Sequence, residues 1–200
     1  MNSRLTLLAA AALVAALAGC TTGPTAQPPA APPSIEPSAS SPAVAPVTFV
    51  QPQDCASDIL PTERLDTFDD LGLILLGGPG GKYGTDYSAD PTPEEQLGGI
   101  SCIWGFDASD ISSITISVAP LSEDTRQQAL DDFATQGLVE ELTESTAIYS
   151  KAGSDDEPSI TNVLREDSWI SVLTTVGGAE NATESLTIAD EVAAQVYVTP

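Results

Sequence analysis

The chain contains no histidine. That excludes a Ser-His-Asp triad, a Cys-His pair and an imidazole general base. It also excludes the zinc and copper centres that depend on His or on several Cys. Basic side chains are scarce: 6 Lys and Arg stand against 29 Asp and Glu, a formal net charge of −23. Such a surface repels nucleic acid and anionic headgroups, and leaves cations, basic proteins and neutral ligands as partners. Its simplest role is to keep the protein dispersed. Phe, Tyr and Trp make up only 5% of the chain, few for the aromatic platforms on which sugars stack. Long apolar stretches are missing too, apart from one. Leu5 to Ala18 would span roughly 21 Å as a helix at ~1.5 Å per residue, short of the ~30 Å core of a bilayer.

That one run follows Arg4 and ends in small residues, the pattern of a signal peptide. Its last residues, Leu17-Ala18-Gly19-Cys20, resemble the lipobox of bacterial lipoproteins. The resemblance implies that residues 1–19 are removed and that the Cys20 thiol carries a diacylglycerol. The mature protein would then be held by lipid at the outer face of the cytoplasmic membrane. Two acyl chains give lasting attachment where one would be marginal. Cleavage would remove Arg4 and no acidic residue. Residues 20–47 are rich in Pro, Ala, Ser and Thr, with eight prolines after Cys20. They read as an extended spacer, reaching about 80 Å at ~3.1 Å per residue. Residues 48–200 have the length of one domain and can bury a real core.

Periodicity predicts the elements of that domain. A short helix begins at Pro61-Thr62-Glu63, with Thr62 as cap, Leu65, Phe68 and Leu71 inward, and Gly72 as its stop. Leu73 to Leu76 is a short strand, and residues 77–99, rich in Gly, Pro and Asp, form a long loop of the kind that is often functional. A strand over 100–106 places Ile100, Cys102, Trp104 and Phe106 on one face. In the next, Ile114, Ile116 and Val118 alternate with Ser113, Thr115 and Ser117, a half-buried strand with a wet face. Ser122 caps a helix with Ala129, Leu130 and Phe133 inward, closed by Gly137. Strands follow near 145–150, 159–165 and 168–176, the last two a hairpin around Glu166-Asp167, with Trp169 packed in it. Asn181 and Glu184 make a capping-box-like start to a final helix whose inner face is Leu186, Ala189, Val192, Ala193 and Val196. The sum is an α+β domain: a mostly antiparallel sheet of about five or six strands with helices packed on one face.

With Cys20 lipidated, Cys55 and Cys102 remain, an even pair in an exported chain, which reads as a disulfide. Two buried thiols or one reactive cysteine are the alternatives, although no local cation would activate a thiol. Trp104 shares a strand face with Cys102 and packs beside the bridge, or less simply serves as a ligand platform. The lipobox, the spacer, Cys55 and Gly98-Gly99-Ile100-Ser101-Cys102-Ile103-Trp104 together resemble a group of actinobacterial lipoproteins with a Cys…Gly-Gly-x-x-Cys-x-Trp core. The resemblance implies an extracytoplasmic α+β domain, and no reaction, cofactor or catalytic residue.

No motif adds one. Gly77-Gly78-Pro79-Gly80-Gly81-Lys82-Tyr83 departs from a phosphate loop in its spacing and in the Tyr that replaces the magnesium-holding hydroxyl. It reads as a flexible loop in which Lys82, Tyr83 and Tyr87 are candidate contacts for a ligand or partner. The carboxylate runs, among them Glu94-Glu95, Asp131-Asp132 and Glu140-Glu141, lack the spacing of a calcium loop and read as solvated charge. The expected function is a non-enzymatic, membrane-anchored envelope module that binds another envelope protein or a small ligand. The alternatives are a small wall-directed hydrolase, using paired carboxylates or Ser with Lys82 or Lys151, and a cation-binding surface.

Overall fold

The computed structural model describes residues 47–107 and 111–199, with the backbone alone at 111 and 112. The expected signal peptide, Cys20 and nearly all of the spacer lie outside the described residues. The elements run β1 (Thr48–Phe49), α1 (Thr62–Asp70), β2 (Ile74–Gly77), a 3-10 turn (Thr85–Tyr87), α2 (Pro93–Gln96), β3 (Ile100–Phe106), β4 (Ile111–Pro120), α3 (Glu123–Ala134), β5 (Val139–Leu142), β6 (Ala147–Lys151), β7 (Ser159–Leu164), β8 (Ser168–Thr174), α4 (Ala179–Val196) and β9 (Tyr197–Val198). The protein is α+β, and its main sheet is antiparallel throughout, in the order β2-β3-β4-β8-β7-β6-β5.

The sheet has seven strands rather than five or six. The extra one is β5, Val-Glu-Glu-Leu, exposed at all four positions. It has no buried face to announce it, and forms because β6 offers an open edge. A separate two-stranded pairing joins β1 to β9, so the two ends of the domain meet.

The helices lie against both faces, not one. Side chains alternate along a strand, and the two parities of this sheet feed two distinct cores. Ile100, Cys102, Trp104, Ile116, Val118, Ile170 and Val172 pack with Phe68 of α1 and with Ile188, Ala189, Val192 and Val196 of α4. On the other side, Ala147, Tyr149, Leu164 and Trp169 pack with Ala129 and Phe133 of α3. The Ser and Thr positions of β4 belong to this second side. They were expected to be wet, but Ser117 is buried because α2 and α3 cover it.

Cys55 and Cys102 are joined by a disulfide, with their Cα atoms 5.6 Å apart. It lies in the first core, where Trp104 meets Phe68 edge-on at 5.5 Å. Helix ends differ from expectation in three places. Pro61, not Thr62, occupies the N-cap of α1, and its carbonyl accepts from the amides of Arg64 and Leu65. Leu71 falls past the last turn and is 62% exposed. Helix α4 starts at Ala179, because Gly177 and Gly178 are pinned by their amides to the carbonyls of Ser154 and Ala152. Asn181 therefore bonds back to the Gly177 carbonyl at 3.0 Å, while Glu184 reaches Arg64 instead of a cap. Leu186, expected on the inner face of α4, is exposed, and Ile188 is buried there instead. Phe106 is exposed as well, since a β-bulge after Trp104 breaks the alternation.

Candidate functional site

The register of the sheet aligns one polar residue from each of six consecutive strands. Ser101 pairs with Ser117, Ser117 with Ser171, Ser171 with Asn162, Asn162 with Tyr149, and Tyr149 with Glu140. This row runs straight across the face covered by α2 and α3. On one side it is flanked by the buried apolar row Ala119, Trp169, Leu164 and Ala147. A cavity of about 630 Å³ stands over the middle of the row, between α2 and α3. That is within the range of small-molecule sites.

Ser117, Asn162 and Ser171 on the floor are each held by hydrogen bonds. Thr92 Oγ1 lies 2.7 Å from Ser101 Oγ, which lies 2.7 Å from Ser117 Oγ, a three-hydroxyl relay from the cap of α2 into the cavity. Trp169 donates its indole N–H to Asn162 Oδ1 at 3.0 Å and meets Phe133 edge-on at 5.3 Å. Ser171 donates to the carboxylate of Glu94. Glu94 is the unexpected member: only 5% exposed, it lines the cavity from α2. Its neighbour Glu95 accepts the Thr92 amide and closes a capping box with Thr92. Neither is the solvated charge that the sequence suggested. Gln128 and Asp132 of α3 and Gln136 just after it are exposed and stand at the mouth.

Close approach of α2 to the sheet depends on Gly99. A Cβ there would lie 2.2 Å from the Val118 carbonyl oxygen and 2.8 Å from that of Glu94. Gly98 serves differently: it has open space around it but a φ of +84°, which lets the chain leave the helix. Together they set Glu94 against Ser171.

The residues singled out in the 77–99 loop are not brought to this cavity. The amides of Lys82 and Tyr83 donate to the carbonyls of Leu75 and Leu76, at 3.0 and 2.9 Å, so the loop folds back on β2. The Lys82 ammonium pairs with Asp107 and sits 5.3 Å from the Tyr83 ring, and Tyr83 stacks on Tyr87. The hydrogen bond to Asp107 raises the Lys82 pKa. Gly78 presses on the disulfide, for a Cβ would lie 2.8 Å from Cys55 Sγ. It is the later part of the loop, Thr92 to Leu97, that walls the cavity. Lys151 pairs with Glu157 at 3.1 Å. Among the described residues no group of three or more His, Cys, Asp or Glu is placed to hold a metal ion, and no helix is long and apolar enough to cross a membrane. Compared with known proteins, the chain matches no family model and no curated sequence.

Proposed function

We propose that this protein is a lipid-anchored module of the cell envelope that binds a small ligand in the cavity between α2 and α3. The observation that carries the reading is the construction of that cavity: a hydrogen-bonded polar floor, a buried carboxylate, and an aromatic pair at one end. Ligand sites combine a few fixed polar groups with apolar walls in this way. Support for the anchor comes from the Leu17-Ala18-Gly19-Cys20 lipobox and the proline-rich spacer after it. On this reading the protein stands at the outer face of the cytoplasmic membrane, as the lipoproteins it resembles do.

Two measurements test the two halves. Cys20→Ala should move the protein from the membrane fraction to the soluble fraction. Continued membrane retention would remove the lipid anchor. In a thermal-shift screen of wall fragments, amines, neutral polyols and acids, at least one class should raise the melting temperature. Thr115→Trp, which fills the cavity from its floor, should abolish that shift. A shift that survives the filling would place the binding elsewhere.

A further inference from the structure

Building on the cavity as a ligand site, we infer that its ligand is a small organic ammonium ion carrying an apolar portion, received by Glu94. Among the described residues two carboxylates, Glu94 within and Asp132 at the mouth, line the cavity, and no Lys or Arg does. The basic side chains beyond residue 20 make their contacts away from the cavity. Arg64 is held by Glu184 and Glu191, Lys82 by Asp107 and Lys151 by Glu157. Arg126 donates to the Arg165 carbonyl at 2.8 Å, and the Arg165 guanidinium covers the Tyr197 ring at 4.4 Å. These five are the whole complement beyond residue 20.

The carboxylate of Glu94 has a serine hydroxyl as its partner, and no counter-charge among the described residues. Removing a carboxylate from water is costly unless a cation or several donors replace the water. Ser171 alone replaces little of it. A ligand that brings an ammonium group supplies both charge and donors, and an anion is repelled. The rest of the wall fixes the other end of the ligand. Trp169 is two residues from Ser171 on the same strand face, about 7 Å along β8. Beside it are Phe133, Ala129 and Leu97. An apolar portion extending from the ammonium therefore lies against the Trp169–Phe133 pair.

Three probes of one shape separate the charge classes: 2-phenylethylammonium, 2-phenylethanol and 3-phenylpropionate, titrated calorimetrically into the intact chain. The cation should bind saturably, at least about tenfold tighter than the neutral probe, as expected of a charge-assisted hydrogen bond. The acid should not bind. Glu94→Gln should reduce the cation's affinity about tenfold or more and bring it level with the alcohol. Equal binding of all three probes, unaffected by Glu94→Gln, overturns the cation and leaves the cavity a ligand site of another class. Absence of binding by all three also overturns the cation. The broader reading falls with it only when the neutral and acidic compounds of the thermal-shift screen fail as well. The three-probe comparison is made on the unaltered chain, so it holds whether or not the Gln variant folds.

Discussion

Replacing Cys55 and Cys102 together by Ala should lower the stability of the domain by about 4 kcal/mol, from the entropy that a closed loop of this length removes from the unfolded chain. The two residues are 47 apart in sequence. For a domain of this size the melting temperature should fall by about 8–16 °C. The bridge joins the segment before α1 to an inner strand of the sheet, and both cysteines are fully buried. Reductant should therefore act slowly on the folded protein and then reproduce the effect of the double variant. On the variant itself reductant should do nothing. A loss smaller than about 1 kcal/mol in urea titrations would mean that the surrounding core, not the cross-link, holds this end of the sheet.

Trp169→Ala should cost about 3–5 kcal/mol, and it should empty the second core. Trp169 is the largest side chain among Leu121, Ala129, Phe133, Ala147, Tyr149 and Leu164. Its removal leaves Phe133 without its edge-on partner. Trp169→Phe separates packing from hydrogen bonding. It keeps most of the apolar bulk and strands Asn162 Oδ1, which accepts from the indole at 3.0 Å. A buried acceptor without a donor costs about 1–3 kcal/mol, so the Phe variant should fall clearly short of the Ala variant in urea denaturation. Equal losses would show that the indole N–H, rather than the ring, is what the second core requires. Because Trp169 also lines the cavity, both variants should weaken ligand binding even at temperatures where they remain folded.

The first core was readable because its signals are local. The alternation of Ile114, Ile116 and Val118, the Cys-x-Trp on one face of β3, and the 3.6-residue repeat through Ala189, Val192, Ala193 and Val196 each declare a face within a few residues. The even pair of cysteines declared the bridge. The cavity was harder to read because its signal is split between strands. Ser117 in β4, Asn162 in β7 and Ser171 in β8 are each ordinary polar positions. Only the register, in which Ser117, Ser171 and Asn162 fall side by side, makes them one floor. Glu94 was hidden differently. Its pairing with Glu95 looks like surface charge, and a four-residue helix has no periodicity from which to tell the buried carboxylate from the capping one. The positions of α2 and α3 on the far face depend on Gly99 and on contacts between residues far apart in sequence. Those contacts are packing facts that no local pattern encodes. The exposed edge strand β5 is a further case, paired into the sheet without any alternation to predict it.

On the proposed reading, in which a lipid tether holds the chain at its front, the meeting of β1 with β9 has a mechanical meaning. Drag on the domain is then delivered to residue 48. Its first restraint is slight: two residue pairs, one further hydrogen bond from the Val50 amide to the Val196 carbonyl, and the contact of Phe49 with Tyr197. When that clasp peels, the chain from 48 to 55 pays out roughly 25 Å at ~3.4 Å per residue. The pull then meets a covalent stop. Tension passes across the sulfurs of Cys55 and Cys102 into β3, which has a neighbour on each side. Residues 56–101 lie on the closed loop and are bypassed. Among them are α1, β2 and α2, so the covalent path skips the wall that carries Glu94, which the 48–55 segment still touches where the Gln51 side-chain amide donates to the Gly98 carbonyl. On that reading the clasp is a short extensible element between the tether and the sheet, and the disulfide fixes where its extension ends.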